Sequence, residues 1–187
     1  LQSQLDENKA LQAQLAEQAM RDPLTGCFNR RVLSDTLPIE LARARREGYP
    51  ISIVMLDIDH FKTINDTYGH AAGDQTLQVL GNILRTAFRE GDHVYRMGGE
   101  EFLVILPGVE AATATLRLNH LRETVENIQL PIEGLSVHIT LSIGISVYPN
   151  NGATLDDLIN KADKALYKAK DAGRNRVFCF EESQIRI

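Results

Sequence analysis

Apolar and polar positions follow two different periods along this chain, and the changes of period mark its elements. From Leu1 to about Met20 a stretch rich in Gln, Glu, Ala and Leu contains no Gly or Pro and carries an apolar seam at Leu1, Leu11 and Leu15. This pattern predicts a long exposed helix. Asn8 stands seven residues from both Leu1 and Leu15, the place of the buried polar residue that sets register in two-stranded coiled coils. The seam covers under three heptads, and a solvated helix fits it equally, because short isolated helices are marginal in water. Arg21-Asp22-Pro23-Leu24-Thr25-Gly26 interrupts the pattern, since proline restricts the residue before it and cannot continue a helix interior. The globular part begins there.

Ile51 to Ile58 is an apolar run that ends in Asp57-Ile58-Asp59, the pattern of a buried strand delivering carboxylates at its carboxyl end. Helical spacing returns with Leu77, Leu80, Leu84 and Phe88. Arg96 to Leu106 predicts two strands around Gly98-Gly99, followed by a helix facing inward through Leu118, Leu121, Val125 and Ile128. Val137 to Val147 is β-patterned. A last helix turns Leu155, Leu158, Ala162, Ala165, Leu166 and Ala169 inward, with Thr154 and Asp157 placed as a capping box and Gly173 as a stop. Strands and helices in this order predict an α+β or α/β fold with helices packed on one sheet.

A length of 187 residues with 43% hydrophobic content suits one sizeable core plus an appendage. The net charge of -5 argues against a protein that coats DNA or RNA, which needs an excess of Lys and Arg. Cys27 and Cys179 are far apart and lack metal-ligand spacing, so neither a disulfide framework nor a zinc site is indicated and a reducing compartment is expected. No apolar run approaches the length that crosses a bilayer, and no charged-then-apolar leader opens the chain. The start at Leu1, inside a helical pattern and without Met, suggests a missing upstream part, a sensor or a membrane anchor.

Carboxylates concentrate in two places, Asp57 with Asp59 at a strand end and Glu100 with Glu101 after the glycine pair. Residues 57 and 59 share one face of an extended strand, and Gly98-Gly99 permit a tight hairpin that swings Glu100 towards it. Such oxygen donors suit magnesium or manganese. The stretch from Asp59 to Asp74, dense in polar, glycine and aromatic residues, places a strand-to-helix turn where backbone N–H groups meet an anion. It lacks the Gly-Lys-Ser/Thr of a P-loop. Lys170 and Arg174, at the end of the last helix, are candidate phosphate partners, although basic residues at a helix C-terminus also serve its dipole.

Gly98-Gly99-Glu100-Glu101-Phe102 is the GGEEF variant of the GGDEF signature, and Asp57 to Asp74 resembles that family's nucleotide-binding segment. Asp22 to Gly26 with Asn29-Arg30, Ser142-Ile143-Gly144, and Ala162-Asp163 through Asn175 resemble its other recurrent segments, so the likeness runs from about residue 20 to 180. The chain is thereby similar to the GGDEF diguanylate cyclases. The resemblance implies a palm-like α/β (α+β) domain with a central, mostly antiparallel sheet surrounded by helices, at residues 21–180. A signalling or coiled-coil helix at 1–20 precedes it, and a tail at 181–187 follows.

The resemblance further implies condensation of two GTP into cyclic di-GMP with loss of two pyrophosphates. Asp57, the carbonyl of Ile58 and Glu100 would hold magnesium, or manganese, with Glu101 as ligand or base. The division of roles between Glu100 and Glu101 stays open. Asn65 and Asp74 would read guanine, a carboxylate being able to accept from both N1–H and the N2 amino group. Backbone groups of His60 and Phe61, with Lys62, Lys170 and Arg174, would contact phosphates, and His70 would lie beside the nucleotide. One GTP per subunit implies a homodimer. Arg89-Glu90-Gly91-Asp92 resembles the family's RxxD inhibitory site, where Arg89 and Asp92 bind product, with Arg117 or Arg122 as a third member. A bacterial cytoplasmic location is expected. A catalytically silent receptor for GTP or cyclic di-GMP is the alternative, and a phosphodiesterase is disfavoured because no second domain fits this length.

Overall fold

The computed structural model describes residues 4, 17, 19–132 and 135–181. Gln4, Glu17, Ala19 and Met20 are helical. Leu1, Asn8, Leu11 and Leu15, which carry the coiled-coil expectation, lie outside the described residues, as do residues 182–187 of the tail. After a turn at Asp22–Gly26 the order is β1 (Phe28–Asn29), α1 (Arg30–Glu47), β2 (Ile51–Ile58), α2 (Phe61–Tyr68), α3 (His70–Ala87), β3 (His93–Gly98), β4 (Glu101–Pro107), α4 (Ala111–Glu126), β5 (Leu130–Ile132), β6 (Leu135–Val137), β7 (Leu141–Tyr148), α5 (Leu155–Asp171) and β8 (Arg176–Cys179). The main sheet has the strand order β1-β3-β4-β2-β7-β8. Its central pairs are antiparallel, while the edge strands β1 and β8 run parallel to their neighbours. This is the palm-like mixed sheet between helices that the resemblance implies.

β2 is buried along its whole length because it has a core on each face. Val54, Leu56 and Ile58 pack with Leu77, Leu80 and Leu84 of α3 and Leu118 and Leu121 of α4. Ile51, Ile53 and Met55 face the other way, onto Leu33, Leu37 and Leu41 of α1 and Leu158, Ala162 and Leu166 of α5. The strand period of two therefore sends residues 55, 57 and 59 towards α5. On α5 the line Leu158, Ala162, Leu166 advances four residues at a time, and its next member is Lys170. A methyl on Gly144 of β7 would strike the Ala162 carbonyl and the Leu166 nitrogen, so glycine there lets α5 lie directly on the sheet; overpacking at such points costs about 1–3 kcal/mol.

Four features depart from the expectations drawn from the sequence. Helix α1 goes unread in the sequence, though Asn29 caps it by accepting from the Arg31 and Val32 N–H groups and Leu33, Leu37, Leu41 and Ala44 form its buried stripe. Pro38 sits inside that helix and masks the pattern. The β segment expected over Val137 to Val147 is two strands. β6 pairs with β5 in a separate hairpin and β7 enters the main sheet, the break falling where Thr140 accepts from the Asp59 N–H. Phe88 and Ile128 lie just beyond the ends of α3 and α4, yet pack against the core. Asp157 donates its N–H to Thr154 Oγ1 as expected of a cap, but its carboxylate accepts from the Thr154 hydroxyl rather than from the backbone.

Candidate active site

At the carboxyl end of β2, Asp57 lies opposite Glu101 of β4 in register and opposite Ser142 of β7. Gly98 and Gly99 have φ of 145° and 54°, values that favour glycine, and they turn β3 into β4 so that Glu100 follows on the hairpin beside Asp57. Lys170 Nζ stands 2.8 Å from Asp57 Oδ2. Burial pushes the Asp57 carboxyl above its ordinary range. The Lys170 ammonium opposes this, while the negative charges of Glu100 and Glu101 push the same way. Three carboxylates thus share one field, with one ammonium set against them.

Asp59 behaves differently from Asp57, against the expectation that the pair acts together on a cation. Its carboxylate accepts from Thr140 Oγ1 at 2.7 Å, Ser142 Oγ at 2.6 Å and the Asn175 N–H at 3.0 Å. These three donors make Asp59 a structural tie between β2, β7 and the loop after α5.

His60 caps α2 in the left-handed region (φ 58°), with its side chain exposed and making no capping bond. Its carbonyl accepts from the Thr63 and Ile64 N–H groups. Phe61 is core, Lys62 is exposed and Asn65 is half-buried in the last turn of α2. His70 and Asp74 are exposed on the first turns of α3. No hydrogen bond or ion pair to another described residue engages the side chains of Asn65 and Asp74. Arg174, one turn beyond Lys170, is exposed with φ 61°. Ile58 is buried as the last residue of β2.

The donor set fits magnesium of a particular kind. Among the described residues no three His, Cys, Asp or Glu side chains gather closely enough to cage a metal. Magnesium seldom needs such a cage, since one or two carboxylates commonly hold it together with waters and substrate phosphates. Asp57 and Glu100, with the Ile58 carbonyl, make up a partial set of that type.

The RxxD segment folds away from this site, between α3 and β3. Arg89 donates through Nε to Asp92 Oδ1 at 3.3 Å and through Nη2 to the Pro107 carbonyl at 2.8 Å. Arg117 Nη2 of α4 reaches Asp92 Oδ2 at 2.6 Å. Arg122 is engaged elsewhere, with Glu126, Glu123 and Asn175. Of the two arginines left open by the sequence, Arg117 is the one at Asp92.

Two groups that hold the site escaped the sequence reading as actors. Arg96 donates to Asp22 at 3.0 Å and, through Nε and Nη2, to the Gly99 carbonyl at 3.1 and 2.9 Å. It links the turn that opens the domain to the signature hairpin. Asn175 bridges Asp59, Arg122 and Glu126. No local periodicity signals either link, because their partners are distant in sequence.

Comparison with known proteins follows the same lines. The sequence profile described as "Diguanylate cyclase, GGDEF domain" matches residues 19–176. Diguanylate cyclase DgcP of Pseudomonas aeruginosa is 41% identical over 172 residues, covering 90% of this chain but 26% of its own length. The chain therefore spans about a quarter of that curated relative. The coiled coil and GGDEF domain of DgcB from Caulobacter crescentus, solved in complex with c-di-GMP, superposes with a TM-score of 0.87 at 30% identity, covering 95% of this chain and 94% of that one. The structure of the active GGEEF domain of a diguanylate cyclase from Vibrio cholerae superposes with a TM-score of 0.78 at 34% identity, covering 84% and 99%.

Proposed function

Since the chain belongs to the diguanylate cyclase GGDEF-domain family, we propose that it condenses two GTP molecules into cyclic di-GMP. The observation that carries this reading is the meeting of Asp57, Glu100, Glu101 and Lys170 at one end of the sheet, where β2 leads into α2 and α3, whose Asn65 and Asp74 side chains have no partner among the described residues. Asn65 and Asp74 supply acceptors to the N1–H and N2 edge of guanine. Adenine lacks that donor pair, so GTP is selected over ATP. The backbone N–H groups of His60 and Phe61, together with Lys62, Lys170 and Arg174, receive the triphosphate. His60 and His70 border it.

Asp57, the Ile58 carbonyl and Glu100 are the residues that would hold magnesium. When bound, the ion polarises the phosphoryl oxygen and lowers the pKa of the attacking hydroxyl. The 3'-oxygen of one GTP forms a bond to the α-phosphorus of the other, and the bond from that phosphorus to the oxygen bridging to the β-phosphate breaks, releasing pyrophosphate. The proton from the 3'-hydroxyl passes to Glu100 or Glu101. A second identical step closes the ring. Lys170 has two tasks here. It neutralises Asp57 in the free site and shifts part of its charge to the phosphates on binding.

With one GTP per subunit, two copies face each other. No described helix is long and apolar enough to cross a membrane, and the nucleotide supply assigns the domain to the cytoplasm. Product binds at Arg89 and Asp92 with Arg117, displacing the Arg117–Asp92 ion pair (2.6 Å).

The test is incubation of purified, dimeric protein, cleared of bound nucleotide, with GTP and magnesium, followed by chromatography. Cyclic di-GMP and pyrophosphate are expected from the unsubstituted protein, and turnover lower by more than about a hundredfold in Glu100→Ala, the range of a lost metal ligand or base. No product from the unsubstituted dimer would exclude the cyclase and leave a receptor.

A further inference from the structure

The loop joining α5 to β8 is held in an unusual backbone conformation. Arg174 and Asn175 have φ of 61° and 46°, and with His60 at 58° they are the non-glycine positive-φ residues among the described residues. L side chains stay in this region only when their surroundings hold them there, and such residues cluster at functional sites. His60 adjoins Asp59, which accepts the Asn175 N–H. All three therefore border one place.

The hydrogen bonds of Asn175 account for the conformation. Its N–H reaches Asp59 Oδ2 at 3.0 Å, its Nδ2 donates to Glu126 Oε1 at 2.8 Å, and its Oδ1 accepts from Arg122 Nη1 at 2.9 Å. The same Arg122 nitrogen donates to Glu126 Oε2 at 2.7 Å, which closes a ring between α4 and the loop. The Arg122 and Asn175 bonds also hold the Glu126 carboxyl below its ordinary range. Asparagine is suited to this place twice over: it enters the left-handed region more readily than other L residues, and unlike glycine it supplies an amide on each side of the ring.

The neighbours of Asn175 differ from it. Arg174 is exposed, and its guanidinium has no partner among the described residues. One turn earlier Lys170 pairs with Asp57. Two clamps, Asp57 on Lys170 and Asp59 on Asn175, thus join the end of β2 to the end of α5 on either side of Arg174. We propose that Asn175 is a positioning residue for substrate binding: braced by Asp59, Arg122 and Glu126, it presents Arg174 to the GTP phosphates and keeps Lys170 at Asp57. The inference rests on the GTP site proposed above. Asn175 touches no reacting atom, because its amide is already bonded on both sides.

The experiment measures cyclase kinetics and binding of a non-hydrolysable GTP analogue for the unsubstituted dimer, Asn175→Gly, Arg174→Ala and the double variant. Glycine adopts the same φ freely, so the fold is retained, and a melting curve verifies it. Asn175→Gly is expected to raise KM for GTP and Kd for the analogue about tenfold while kcat stays within about threefold, the signature of lost uniform binding. Arg174→Ala should then cost no more than about twofold in the Asn175→Gly background, since sites acting as one unit are non-additive. An unchanged KM in Asn175→Gly, or fully additive losses, would overturn the proposal. An unsubstituted protein that binds the analogue without making cyclic di-GMP refutes the cyclase reading, while its binding data still decide the coupling. One that binds no guanine nucleotide sinks both.

Discussion

Gly73 occupies the interior of α3, where glycine is about 1 kcal/mol less favourable than alanine, and its surroundings show what glycine permits. A Cβ at this position would fall on Asn65 Oδ1 and come within 3.2 Å of the Phe61 ring. The absence of a side chain at 73 therefore sets where the Asn65 amide rests, and Asn65 is the proposed reader of guanine. Gly73→Ala is expected to keep the fold and to raise KM for GTP by about tenfold. The preference for GTP over ATP should narrow by a similar factor, since a site built to hydrogen-bond one base discriminates through the placement of its polar groups. Competition kinetics with the two nucleotides measure this, and an unaltered preference would remove Asn65 from base recognition.

Strand β3 works as a strut through Arg96, which grips Asp22 at one end and the Gly99 carbonyl at the other. The ion pair is largely enclosed, with side chains 15% and 19% exposed. Burial pushes the Asp22 carboxyl upward, but the Thr25 hydroxyl and N–H and the Arg96 guanidinium outweigh it and hold the carboxyl below its ordinary value of 3.8. A group lowered on folding stabilises the fold fully above that ordinary value, and the contribution is lost as pH falls through its folded value. Arg96→Ala is expected to cost about 1–3 kcal/mol at neutral pH, the range for a charged hydrogen bond removed from a buried partner. Urea unfolding from pH 7 downward should show that difference shrinking once Asp22 protonates. A difference that holds constant to the acid limit would mean the strut acts without its charge. Because the same guanidinium fixes the signature hairpin, the variant should also lose turnover.

At the scale of the whole molecule, the proposed reaction needs two GTP molecules, and the proposed site takes one per subunit. Specific activity should therefore rise with protein concentration until the dimer saturates. Rates measured over a hundredfold dilution series, alongside sedimentation, check this, and an activity per subunit that is flat through dissociation would exclude a shared site. Helix α4 has a place in both halves of the molecule, holding Asp92 of the RxxD segment through Arg117 and the loop after α5 through Arg122.

Much of the frame was legible in the chain, because periodicity and turn geometry are dictated by residues adjacent in sequence. The double-faced run of β2, the inward line of α5 and the glycine pair of the signature hairpin each follow from local sterics and from which positions are apolar. α1 was an exception, since Pro38 and its charged outer face obscure a stripe that begins at Leu33. The tertiary structure alone decided which polar groups meet. Asp57 and Asp59 share one strand face and look equivalent in sequence, yet one pairs with Lys170 while the other is closed by Thr140, Ser142 and Asn175. Asp59 and Asn175 stand 116 residues apart, and Asp22 and Arg96 stand 74 apart. Such pairings depend on strand register and helix placement, which arise from burying both faces of one sheet at once, and no single segment of the chain encodes them.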